Sequence, residues 1–266
     1  MAQKRHYIRP RSIKMPFVVC PLGHFRPPVH NASILRVAGS SRSLALACLP
    51  HLWYAASMHY LSTRGGDDPL LFRATVLTGL ARDGGLFLPS DIPDVRDRLT
   101  AWARLSYADL AYEIMRLYAD DIPAPALRAM VDRSYAVFRH PEVTPVVTVG
   151  NVHVLELFHG PTLAFKDVAL QFLGNLFEYV LAETGGELNI VAATSGDTGS
   201  AAIHGVRGRD RMRIFVLHPQ GRVSPVQERQ MTSVLDANVH NLAVAGTFDD
   251  YQNLSLIHIS EPTRPY

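Results

Sequence analysis

Leu188-Asn-Ile-Val-Ala-Ala-Thr-Ser-Gly-Asp-Thr-Gly-Ser-Ala-Ala202 is the stretch whose reading decides the fold. It opens with an apolar run of strand length, passes through a glycine-bearing turn, and starts a helix near Thr198 rich in small residues. The same rhythm continues on both sides. Upstream, the spacing predicts a helix over 167–183. Downstream it predicts a strand over 213–217, a helix over 224–235, a strand over 239–245 and a helix start near Phe248. Short apolar strands alternating with amphipathic helices indicate a parallel sheet covered on both faces, an α/β fold.

Before residue 140 the pattern is different. Phe72, Val76 and Leu80 recur at helical spacing over 70–82, and Asp83-Gly84-Gly85 ends that helix. A short strand over 86–88 is stopped by Pro89. Ser106 with Asp109 three residues later reads as a capped helix start, with Leu110, Ile114 and Leu117 as the expected buried stripe and Tyr107 beside it. A third helix runs from Pro125 to about Phe138 and carries Leu127, Met130, Val131 and either Tyr135 or Phe138. Residues 58–140 therefore read as a small, mainly helical domain. Val146–Val149 and Val152–Phe158 then flank Gly150-Asn151 as a hairpin, and 141–254 reads as the sheet-bearing domain.

Charge separates off the first part of the chain. Residues 1–57 hold eight Lys or Arg and no Asp or Glu, which leaves the rest with 18 basic and 24 acidic residues. Both cysteines, Cys20 and Cys48, lie in that leader, so the body offers neither a disulfide framework nor a thiolate metal site. The leader reads as non-native or disordered sequence ahead of a start at Met58. An organelle transit peptide and a secretory segment broken by Pro50 and His51 are the competing readings. Residues 255–266 fall outside the rhythm and resemble a translated sequencing adapter, a foreign tail. No apolar run is long enough for a membrane span, no histidine pair has metal-ligand spacing, and no basic patch with interleaved aromatics favours nucleic acid. A cytoplasmic setting is expected.

Two segments carry chemistry. In Glu156-Leu-Phe-His-Gly-Pro-Thr-Leu-Ala-Phe-Lys-Asp167 a strand leads through a Gly-Pro turn to a lysine at a helix start. The helix dipole disfavours a cation there by some tenths of a kcal/mol, which favours the neutral amine that a carbonyl-condensing lysine needs. A surface lysine paired with Asp167 is the plainer alternative. In the second segment, Gly196 and Gly199 let the backbone curl around a ligand, and Ser195, Thr198 and Ser200 offer hydroxyls beside free helix N–H groups. That composition suits a carboxylate or phosphate, and a loop that merely caps a helix is the alternative. The spacing matches neither the P-loop nor G-x-G-x-x-G. Both segments are expected at strand-to-helix turns of one sheet.

Met58-His-Tyr-Leu-Ser-Thr-Arg-Gly65, Asp83-Gly-Gly-Leu-Phe-Leu-Pro89, the 156–167 string and Thr194-Ser-Gly-Asp-Thr-Gly-Ser-Ala-Ala202 together resemble the successive signatures of threonine synthases. The resemblance runs from Met58 to about Asn253. It implies the start of a fold type II (tryptophan synthase beta-like) domain and pyridoxal 5'-phosphate (PLP) as cofactor. It also implies a lyase that converts O-phospho-L-homoserine and water to L-threonine and phosphate. Lys166 would hold PLP and act as the base at the substrate α-carbon, with Phe165 and His159 lining the approach. Ser195, Gly196, Asp197, Thr198, Gly199 and Ser200 would bind the substrate carboxylate, Asp197 turning aside to brace the loop, and Arg64 would reach the substrate phosphate. The family's later PLP-phosphate loop has no counterpart after Gly199, so the chain as written is expected to be an inactive fragment. A sister enzyme of the fold (a threonine dehydratase or cysteine synthase) and a non-catalytic module remain open.

Overall fold

The longest helix, Asp167–Thr184, serves two cores: Phe172, Leu176 and Val180 are buried in one and Leu181 in the other. The computed structural model describes residues 57–194 and 196–246. The residues before 57 and after 246, and with them the leader, tail and Phe248 expectations, lie outside the described residues.

The chain begins with β1 (Tyr60–Ser62), α1 (Phe72–Thr78) and β2 (Phe87–Pro89), then α2 (Leu99–Trp102), α3 (Tyr107–Met115) and α4 (Ala124–Tyr135). β1 and β2 pair antiparallel, with Tyr60 opposite Pro89, so Pro89 closes the strand from within. At such an outer position it leaves no ladder donor missing. α1 ends at Gly79, whose positive φ of 72° reverses the chain earlier than the expected stop at Asp83.

Ser106 caps α3: its Oγ accepts from the Asp109 N–H at 3.2 Å and donates to the Asp109 carboxylate at 2.6 Å. The buried stripe of α3 differs from the expected one. Tyr107, Ala111 and Met115, with Ala108 and Tyr112, pack on the core, whereas Ile114 is 42% exposed. The alanines allow a close approach to α4 that a row of leucines would block. α4 presents Leu127, Met130, Val131 and Tyr135, all buried, to the first side of the central helix. The Tyr107 and Tyr135 rings meet edge to face, with centroids 4.8 Å apart.

β3 (Val146–Val149) and β4 (Val152–Leu155) form the hairpin, turning at Gly150 with φ 63°. Next come α5 (Asp167–Thr184), β5 (Leu188–Ala193), α6 (Asp197–Val206), β6 (Met212–Pro219), α7 (Pro225–Thr232) and β7 (Val239–Val244). β5, β6 and β7 are parallel, in that order. Met212, Ile214 and Val216 of β6 are almost wholly buried against Ile203, Val206 and Met231. The opposite face, with Arg213 and Phe215, is less covered, so among the described residues the sheet is packed fully on one face. The hairpin stands as a sheet of its own among the described residues. The two chemical segments therefore arise from two sheets, not one, and what joins them is the packing of α5 on α6. Among the described residues no helix is long and apolar enough to cross a membrane.

Candidate functional site

Lys166 is the residue from which α5 starts: its carbonyl accepts the first helical hydrogen bond, from Leu170 at 2.9 Å. Its ammonium lies 5.1 Å from the centre of the exposed Phe165 ring. Among the described residues it has no carboxylate within ion-pair distance, so the pairing with Asp167 does not form. The reason is the fate of Asp167, which turns into the protein and is fully buried. Its carboxylate accepts from the Thr162 N–H and hydroxyl, both at 2.8 Å, and from Gln171 Nε2 at 3.1 Å. A buried carboxylate needs such partners to offset lost hydration. Gly160 makes room for it, since a Cβ there would lie 2.4 Å from the Asp167 side chain. The Gly160-Pro161-Thr162 turn is thus wrapped around Asp167, and the neighbouring Lys166 is held at the mouth of the helix.

The inward row continues along α5. Gln171 and Asn175 follow Asp167 at intervals of four, and all three are buried. Gln171 Oε1 meets His204 Nδ1 of α6 at 3.1 Å, and Asn175 Nδ2 donates to Ser134 Oγ of α4 at 2.8 Å. Because Gln171 gives its N–H to Asp167, its oxygen faces the imidazole, which must then present Nδ1–H. Burial holds the His204 pKa below the usual histidine value, in keeping with a neutral donor. Sequence reading passed over this row; polar residues at i, i+4 and i+8 of an apolar helix were its available signal.

The glycine turn opens α6. Thr194, 2% exposed, replaces a side-chain cap: its Oγ1 accepts from the Gly196 N–H at 3.1 Å and the Gly199 N–H at 2.9 Å. Gly196 has φ 150° and ψ −89°, a region closed to residues with a Cβ. Ser200 Oγ donates to the Asp197 carbonyl at 3.1 Å. The Asp197 carboxylate accepts from Gln227 of α7, and both Asp197 and Thr198 are exposed at the helix start. Ser195 lies outside the described residues. Thr194 is a member of the turn that the expected site omitted.

α5 and α6 cross at two glycines. A Cβ on Gly174 would lie 2.0 Å from the Gly205 carbonyl oxygen, and one on Gly205 would lie 2.6 Å from the Leu170 carbonyl oxygen. Backbone-to-backbone contact of this kind fixes how the two helices, and the lysine and glycine turn at their N-termini, stand to each other.

Two further expected residues are engaged by partners of their own. His159 Nε2 is 2.7 Å from Glu156 Oε2, and the His159 ring packs on Phe158 and His140. Arg64 donates to the Asp83 carbonyl at 2.7 Å. It belongs to a knot in which Asp83 also accepts from Ser62 Oγ and from the Gly66 and Gly85 N–H groups. Those hydrogen bonds, Gly85 N–H foremost, hold the Asp83 carboxyl below its ordinary pKa. Among the described residues no group of His, Cys, Asp and Glu is arranged to hold a metal ion.

Comparison with known proteins agrees with this geometry. The family model for the threonine synthase N terminus matches residues 59–135. Threonine synthase of Schizosaccharomyces pombe is 53% identical over 212 residues, covering 75% of this chain and 41% of that protein. The Pseudomonas aeruginosa threonine synthase is 48% identical over 200 residues, covering 74% and 43%. Among solved structures, a PLP-bound threonine synthase from Brucella melitensis superposes with a TM-score of 0.72 at 49% identity, covering 77% of this chain and 45% of that one. The chain thus spans a little over two fifths of the curated relatives it matches. Through its helical N-terminal residues, its lysine turn and its glycine turn alike, it matches the N-terminal part of threonine synthases.

Proposed function

We propose that this chain supplies the lysine and the carboxylate-binding turn of a threonine synthase. That enzyme converts O-phospho-L-homoserine and water to L-threonine and phosphate, with PLP carried on Lys166. The observation that carries the reading is the buried latch of Asp167, Thr162 and Gly160. Among the described residues it leaves the Lys166 amine without a carboxylate partner, at the N-terminus of a helix packed directly on the one that the glycine turn opens.

The residues present fit the cofactor. An amine that forms a covalent bond to an aldehyde must be free of a carboxylate partner and must lie where positive charge is disfavoured. Among the described residues Lys166, at the start of α5, meets both conditions. When bound, PLP withdraws electron density from the substrate α-carbon, which makes its hydrogen acidic. Lys166 then carries protons to and from that carbon. The N–H groups of the exposed residues Asp197 and Thr198 and the Thr198 hydroxyl hold the substrate carboxylate, a natural use of a helix N-terminus. Asp197, engaged by Gln227, keeps its own negative charge directed to α7. Phe165 offers an apolar wall beside the amine. We assign Arg64 to bracing the Asp83 knot before any phosphate contact, because its guanidinium is already engaged there. A cytoplasmic setting goes with this reading.

The test is borohydride reduction of the holoenzyme followed by peptide mapping. A pyridoxyl group on Lys166, with phosphate released from O-phospho-L-homoserine and threonine formed in equal amount, is the expected result. A label on another lysine, or turnover that persists in Lys166→Ala, would refute it.

A further inference from the structure

The helix α7 touches both halves of the site, although the sequence reading assigned it nothing. Its N-terminus is capped by Ser224, whose Oγ accepts from the Gln227 N–H at 3.3 Å and donates to Gln227 Oε1 at 3.0 Å. With its oxygen engaged there, the Gln227 carboxamide presents Nε2, which donates to Asp197 Oδ1 at the head of the glycine turn. The same carboxamide packs against Gly196, where an added Cβ would come within 2.5 Å of Gln227 Cδ. One turn further along the same face, Gln230 Nε2 donates to the Thr162 carbonyl at 3.2 Å. Thr162 is the residue whose N–H and hydroxyl hold Asp167, next to Lys166. Met231 completes the face: a Cβ on Gly199 would lie 2.7 Å from its Sδ.

We propose that Gln227 and Gln230 are positioning residues that set the distance between the carboxylate-binding turn and the lysine turn. The proposal deepens the reading above and rests on it. One helix carries two donors a single turn apart, and each grips a different half of the site. A substrate seated by its carboxylate at the glycine turn therefore has its α-carbon delivered to Lys166. Gln227 acts on the seat and Gln230 acts on the base, so their losses must show in different constants.

The experiment uses the holoenzyme with an unreactive L-amino acid, L-2-aminobutyrate, as probe. Its dissociation constant is read from the visible spectrum, and exchange of its α-hydrogen for deuterium is read by NMR. Gln227→Ala is expected to raise the dissociation constant about fivefold while leaving exchange at saturation within about twofold. Gln230→Ala is expected to slow exchange at saturation about fivefold with the dissociation constant little changed. Gln227→Glu, which sets a carboxylate against Asp197, should weaken binding further. Adding Asp197→Asn should restore it by exchanging donor and acceptor. Variants that melt at a lower temperature but match the parent in both constants would overturn the proposal, as would equal losses in both constants from either glutamine. If the parent itself exchanged no α-hydrogen and carried no label at Lys166, the underlying reading would fail instead.

Discussion

Gly174→Ala is the sharpest test of the helix crossing that unites the site, because two known effects oppose each other there. Alanine favours a helix interior over glycine by about 1 kcal/mol, so on propensity alone the substitution stabilises α5. The structure puts the new methyl carbon 2.0 Å from the Gly205 carbonyl oxygen and 2.8 Å from its carbonyl carbon. Ordinary contact begins near 3.4 Å. The obstacle is backbone, with no rotamer to change, so α5 and α6 must separate by roughly 1 Å or twist apart. Arg209 is drawn in as well, since its Nε donates to that same carbonyl at 2.7 Å. Overpacking of this kind costs about 1–3 kcal/mol, and misaligning a charged hydrogen bond adds to it. The net expectation is destabilisation of about 1–3 kcal/mol, measured as a lower urea midpoint at unchanged slope. A stabilised Gly174→Ala protein, with the midpoint raised by the propensity term alone, would show that the helices do not meet backbone to backbone and would remove the link between lysine and glycine turn.

Asp167→Ala strips the buried latch of its acceptor and strands Thr162 and Gln171, so a loss of about 2–4 kcal/mol is expected by urea unfolding, together with loss of borohydride labelling at Lys166. Asp167→Asn, which retains an acceptor oxygen, should lose less. His204 is held below its ordinary pKa, so the unfolded chain takes up its proton first. Stability should be fully present above about pH 6.5 and fall as the pH drops below that value, and His204→Asn, which retains a donor, should flatten this part of the profile measured by thermal melting. Ser106→Ala removes the cap of α3 and should cost about 1 kcal/mol, with Ser106→Thr, which keeps the hydroxyl that both accepts from the Asp109 N–H and donates to its carboxylate, largely restoring it.

The α/β rhythm was legible because strand and helix periods differ, and the apolar run that opens at Leu188 is β5. Both turns that carry the chemistry were read as turns, since Gly-Pro and Ser-Gly-Asp-Thr-Gly leave few other conformations open. The α3 stripe was misjudged because leucine and isoleucine outrank alanine in any hydropathy count, while close helix packing favours the smaller residue. Asp167 entered the sequence reading only in the alternative of a surface lysine, as the partner of Lys166. Its burial depends on Gly160, seven residues away, and on Gln171, one helical turn on, and neither dependence shows in local pattern. The role of α7 was illegible for a similar reason: two glutamines on a short polar helix look like solvent-facing residues until the elements they reach are folded against them.

The row of Asp167, Gln171 and Asn175 has a mechanical meaning beyond its hydrogen bonds. A smooth apolar cylinder can slide or roll in its seat at little cost, but α5 is toothed. Moving it by a single residue swings every tooth about 100° away from its notch and leaves polar groups dry, at roughly 1–3 kcal/mol apiece. The bearing of one amine at the tip is thereby locked by teeth set as far as two turns down the shaft.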